Sequence, residues 1–188
     1  MTRTLLAALA VSVALPAAAL AGEKSGDRAY VQVGLGYTQI SYGDLTADLG
    51  VTQTRVGANL APFLGVEGEL SVGVLGTEFD YGGGYTATAM IDYGFGGFGV
   101  VRAPIDDNFR LFARAGYAHT QASLELTALN VSETITSEVD GFAFGGGFEF
   151  FSGPHGVRAE YTRYTIADAQ PNDLEAVNVV SIGYLRRF

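Results

Sequence analysis

The chain has 188 residues, no cysteine, and 20 acidic against 11 basic side chains, a net charge of −9. Without cysteine there can be neither disulfides nor thiolate metal sites, and an acidic chain is a poor partner for phosphate backbones, which argues against nucleic acid as a ligand. Past the N-terminal segment no stretch approaches the about 20 apolar residues of a transmembrane helix, so a helix-spanning protein is excluded and a membrane barrel is not.

Residues 1–21 have the pattern of a secretory signal peptide. Arg3 precedes an apolar run from Leu5 to Leu20, and Ala19-Leu20-Ala21 forms a small-x-small cleavage site ahead of Gly22-Glu23. Pro16 interrupts the run and argues against a buried helix. Cleavage is expected after Ala21, leaving residues 22–188 as one domain.

From there the chain alternates with a period of two. YVQVGLGYT sets Val31, Val33, Leu35 and Tyr37 against Gln32, Gly34, Gly36 and Thr38. FLGVEGELSVGV, RLFARAGY, FAFGGGFEF and GVRAEY repeat the pattern. Such alternation places one set on each face of a β-strand. Eight strands are predicted, at 29–42, 51–61, 63–76, 85–103, 109–124, 137–151, 156–167 and 175–188. Three connections are short and carry proline: Ala61-Pro62, APIDDN (103–108) and SGPHG (152–156). The other four, 43–50, 77–84, 125–136 and 168–174, are longer and polar. Short turns at one end and longer loops at the other describe an eight-stranded antiparallel up-and-down barrel, both termini at the short-turn end.

Three features turn the apolar face toward lipid, giving an all-β transmembrane β-barrel. The polar face carries no lysine, the only one being Lys24, whereas water-facing sheets carry lysine freely. That face is rich in glycine, including Gly34, Gly57, Gly116, Gly145, Gly147 and Gly183, as a narrow lumen requires. Aromatics collect at strand ends as interfacial belts do: Phe63, Phe109, Phe150 and Phe188 on the turn side, and Tyr37, Tyr42, Tyr85, Tyr117 and Tyr164 on the loop side.

Parity then sends charge of both signs inward: Glu67, Glu69, Asp92, Glu149 and Glu160 with Arg55, Arg114 and Arg158. An eight-stranded interior is just filled by side chains, and buried charge persists only when paired. A Glu–Arg network plugging the lumen is expected.

Other motifs carry less. Gly94-Phe95-Gly96-Gly97-Phe98-Gly99 matches a dinucleotide fingerprint, but the strand continues after it, so no nucleotide site follows. A β-bulge there is expected to shift the outward set from Phe95 to Phe98 and Val100. His119 lies near the loop-side rim on the outward parity, with Thr120 and Ser123 nearby in sequence, and His155 sits in a turn. No histidine–serine pair occurs. The loops are acidic, through Asp44, Asp48, Glu78, Asp80, Glu125, Glu133, Asp168, Asp173 and Glu175. None has the spacing of a calcium loop, and no cofactor or metal is expected.

Laid out this way, the chain resembles the small eight-stranded outer-membrane β-barrel family, which includes the transmembrane domain of outer membrane protein A and single-domain relatives. The stretches that carry the likeness are YVQVGLGYTQI (30–40), RLFARAGY (110–117), FGGGFEF (144–150), GVRAEYTRY (156–164) and VNVVSIGYLRRF (177–188). The resemblance implies the outer membrane of a Gram-negative bacterium, reached through the periplasm, with lipid and lipopolysaccharide as surroundings. It also implies that the last strand is read by the barrel assembly machinery, through Ser181, Gly183, Tyr184 and Phe188. Arg186 stands where that strand usually has a hydrophobic residue. The expected role is non-enzymatic, in envelope integrity or surface interaction through the acidic loops, by a monomer whose external ligand is unnamed. The alternatives are a small porin-like pore and, behind it, a lipid A-modifying enzyme.

Overall fold

The alternation of apolar and polar residues closes into a ring. The computed structural model describes residues 28–42, 45–128, 131–166 and 176–188; the leader at 1–21 and the connection at 168–174 lie outside them. The strands are β1 (Ala29–Tyr42), β2 (Leu45–Ala61), β3 (Leu64–Leu75), β4 (Thr77–Gly82), β5 (Tyr85–Pro104), β6 (Phe109–Ala128), β7 (Val131–Ser152), β8 (His155–Thr165) and β9 (Ala176–Arg187). All pairings are antiparallel between neighbours, and β3 and β4 both pair with β5, forming one wall. The result is an eight-walled all-β barrel. It is closed by β1 against β9, from Tyr30↔Arg187 to Thr38↔Val179. Phe188 N donates to Ala29 O at 2.9 Å and extends that seam by one bond.

The two faces are opposite in chemistry, and the apolar one is outside. Val33 and Leu35 are 54% and 59% exposed, while Gln32 between β1's neighbours is 1% exposed. In water this arrangement would be inside out; in lipid it satisfies both faces. On β6 the outward set Leu111, Ala113, Ala115 and Tyr117 is apolar and exposed, and Tyr117 meets Phe142 edge-on at 5.4 Å.

The three proline connections are tight turns. Asp106 Oδ1 accepts from Asn108 N and Phe109 N, both at 2.8 Å, and Gly153 takes φ 60° in the β7–β8 turn, a conformation open to glycine.

Three expectations need correction. The segments 43–50, 77–84 and 125–136 are mostly strand: β2 begins at Leu45, β4 spans Thr77–Gly82, β6 runs to Ala128 and β7 starts at Val131. The last of them holds Thr127, Val131, Thr134, Ile135 and Thr136, β-branched residues that favour strands. The carboxylates of Asp48, Glu78, Asp80 and Glu125 face outward beyond the lipid, so polarity there does not mark a loop. Second, the bulge in β5 lies at Asp92, where the register shifts between Ile91 and Tyr93. The glycine run keeps its register, so Phe95 stays outward while Phe98 (4% exposed) and Val100 (0%) face the lumen. Third, Tyr164 is not in an aromatic belt; it turns inward. Tyr42 lies outside the described side chains.

The barrel is uneven at its outer end. β6 has 20 residues, about 65 Å of strand at about 3.3 Å per residue, although about 9–11 residues cross a bilayer. β4, β5, β6 and β7 continue past the β1–β9 seam as a sheet whose rows include Glu78↔Thr88↔Glu125↔Thr134 and Asp80↔Thr86↔Thr127↔Ser132. Among the described residues, the β7–β8 ladder reaches only Ala143↔Tyr164.

Candidate functional site

Eight charged side chains fill the middle of the lumen. Arg55 on β2 pairs through Nε with Glu69 at 2.6 Å and through Nη1 with Glu160 at 3.1 Å. Arg114 on β6 reaches Glu69 at 2.6 Å and Glu67 at 3.4 Å. Arg158 on β8 reaches Glu67 at 2.5 Å, Glu160 at 2.7 Å and Glu149 at 3.4 Å. Arg102 on β5 adds Glu67 at 3.2 Å and Glu149 at 3.7 Å. Four arginines thus face four glutamates, all buried, and the cluster is neutral. Every partner sits on a different strand from most of its contacts, so the network ties the ring across its diameter.

Neutral hydrogen bonds and rings complete the layer. Gln32 and Gln53 accept from Arg55 at 3.3 and 3.2 Å, Tyr164 donates to Glu69 at 3.0 Å, and Tyr30 donates to Glu67 and accepts from Arg102. The Arg114 guanidinium lies 3.6 Å over Phe98, and Arg158 lies 3.8 Å over Phe112, a desolvated cation–π geometry. Glycines make the room. A Cβ on Gly57 would stand 2.0 Å from the Tyr30 ring, and one on Gly116 would stand 2.0 Å from Gly97 O and 2.7 Å from the Phe98 ring. Arg114 Nε makes no hydrogen bond; Glu160 Oε1 is its ion-pair partner at 3.4 Å.

Of the charged residues expected inward, Arg55, Glu67, Glu69, Arg114, Glu149, Arg158 and Glu160 come together. Asp92 does not. At its bulge it accepts from Gln121 at 3.1 Å and Ser123 at 2.7 Å, near the outer rim. Arg102 belongs to the cluster and was missed, because a bulge placed in the glycine run turns Arg102 outward with Phe98 and Val100.

Above the ionic layer the lumen changes character. A cavity of about 210 Å³ is walled by Leu49, Val51, Ile91, Val139, Val177 and Val179, among others, with Glu69 and Tyr164 at its base. Below the layer, Tyr30, Phe151 and Leu185 close the turn side.

The model of the outer membrane protein β-barrel domain matches residues 5–188. The chain belongs to this family. No curated protein matches it in sequence. The fold of this outer-membrane barrel is similar to several solved ones. Neisserial surface protein A is 12% identical, with a TM-score of 0.62, covering 88% of this chain and 100% of that one. Ail, the attachment invasion locus protein of Yersinia pestis, is 16% identical with a TM-score of 0.57, covering 87% and 100%. A major outer membrane protein of Thermus thermophilus is 14% identical with a TM-score of 0.55, covering 85% and 99%.

On the last strand of the barrel, Ser181 and Gly183 face the lumen and Tyr184 faces outward, its ring 5.9 Å from His155. Phe188 sits at the seam, with the Arg186 guanidinium 5.3 Å from its ring. Arg186 is therefore an outward residue at the turn-side rim, where a long cationic side chain can reach the interface. His119 is outward too. Its Nδ1 is 3.1 Å from Asp140, and its ring lies 5.0 Å from Phe95.

Proposed function

We propose that the barrel is a plugged anchor and that its protruding sheet is a surface for interaction outside the cell. The observation that carries this is the outward face of β4–β7 beyond the lipid band. Glu78, Asp80, Glu125, Glu138 and Asp140 lie on it among threonines and serines, with no arginine or lysine on the described part of that face. A surface of one sign selects a partner of the other, so the partner is a basic surface of an external protein. Ail has been solved in complex with the heparin analogue sucrose octasulfate; a polyanion of that kind would be repelled here.

The ionic layer supports the anchor reading over the porin-like pore, because a lumen crossed by four arginine–glutamate sets leaves no wide water path. Enzyme chemistry has little support: His119 pairs with Asp140 and His155 with Tyr184 rather than with a serine. The protein would act as a monomer in the outer membrane. It would be exported by its leader and recognised by the assembly machinery through Ser181, Gly183, Tyr184 and Phe188, and its outer face would lie in lipopolysaccharide.

The test is binding of barrel-containing nanodiscs to polylysine-coated beads against a variant with those five carboxylates changed to amides. The reading expects salt-sensitive capture that the variant loses. Equal capture of both, or capture by heparin beads instead, would overturn it.

A further inference from the structure

We propose that the upper lumen is a binding site for a small neutral apolar molecule of about one aromatic ring in size, entering from outside. The lumen of a membrane barrel is ordinarily polar, yet this one turns Leu49, Val51, Val177 and Val179 inward above the ionic layer. Among the described residues no side chain fills the resulting cavity of about 210 Å³. An apolar cavity of about 150 Å³ stays dry and accepts benzene, so this one has room for a ring with a short substituent.

The bulge at Asp92 supplies the second observation. It brings Ile91, Ala89 and Ala87 onto the lumen side, opposite Ala122, Leu124 and Leu126. On β5 and β6 the inner face of the protruding sheet is thereby apolar, with Ile135 beside it on β7 and Glu133 and Ser137 flanking that residue, while the outer face is acidic. That inner face runs directly into the cavity wall at Ile91 and Ala122, giving an apolar molecule a continuous path out of water. The base selects against ions. Glu69 is already held by Arg55, Arg114 and Tyr164, and a neutral layer whose charges are paired offers none to a charged ligand. Gln53, Ser71 and Thr120 at the wall could take one hydroxyl of the guest.

The experiment titrates toluene into the barrel in phospholipid nanodiscs while methyl resonances are followed. Toluene also dissolves in the lipid, so the outward methyls of Val33, Val180 and Ile182 report partitioning. The proposal expects saturable shifts at Val51, Val139 and Val179 and non-saturating shifts at the outward set. Filling the cavity by Ala122→Phe, or from another wall by Val139→Phe, should weaken the saturable response at least tenfold, with heat-modifiable migration kept as the check on folding. Lumen methyls that follow the outward ones without saturation would overturn the proposal in the unaltered protein alone. So would a folded filling variant that binds as before.

Discussion

Arg158→Met tests whether the lumen is held by charge balance. Methionine keeps an apolar stem beside Phe112, from which the guanidinium lies 3.8 Å, and deletes the charge. Glu67 would retain Arg102 at 3.2 Å and Arg114 at 3.4 Å, and Glu160 would retain Arg55 at 3.1 Å and Arg114 at 3.4 Å. Glu149 loses its 3.4 Å pair and is left facing Arg102 at 3.7 Å. Four buried glutamates then face three arginines. Removing one partner of a buried pair costs about 3–5 kcal/mol, chiefly because the other charge stays behind. Adding Glu149→Gln restores neutrality, so the double variant should recover about 2 kcal/mol of that loss, a coupling well outside additivity. The chain has no tryptophan, so urea unfolding in lipid vesicles is followed by circular dichroism and by heat-modifiable migration. The reasoning is refuted if Arg158→Met costs under about 1 kcal/mol, or if Glu149→Gln merely adds its own destabilisation.

Gly116→Val should block assembly, because its Cβ would meet Gly97 O at 2.0 Å and the Phe98 backbone at 2.8 Å; the variant is expected to accumulate outside the outer-membrane fraction. Tyr30→Phe removes the donor to Glu67 and the acceptor of Arg102, and urea titration should show a loss of about 1–3 kcal/mol. In planar bilayers the unaltered barrel should give no stable single-channel steps, whereas Arg55→Ala with Arg114→Ala should raise the leak current; steady porin-sized steps from the unaltered protein would contradict the plug. Deleting 123–134 from the β6–β7 hairpin removes Glu125 and leaves Glu78, Asp80, Glu138 and Asp140, so polylysine capture should weaken without vanishing while heat-modifiable migration is kept.

The strands over the lipid band were legible because lipid outside and polar packing inside impose a strict period of two, as in Val31 to Thr38. The same parity located seven of the eight charges in the cluster. Arg102 escaped because glycines on both faces of 94–99 erase the alternation that would have fixed its side. The outer ends of the strands were misread for a related reason: in 131–138 the inward positions carry Glu133 and Ser137 as well as Ile135, so polarity no longer tells faces apart. Tyr164 shows the limit of composition, since a tyrosine near a strand end serves an interfacial belt or a buried hydrogen bond equally well. The upper cavity was invisible for a different reason. Its walls come from all around the ring, β1, β2, β3 and β5 to β9, and no local pattern reports what stands across a ring.

The central claim is a barrel closed between its first and last strands in the outer membrane. Leu35 and Ile182 are direct partners across that seam, both face outward, and the chain has no cysteine of its own. With Leu35→Cys and Ile182→Cys introduced together, a short bis(methanethiosulfonate), which forms a disulfide with each thiol and releases methanesulfinate, should join them in the outer-membrane fraction, giving a cross-linked species that the single variants do not form. Failure of the pair to cross-link in that fraction, or a cross-link found only in soluble protein, would contradict the account.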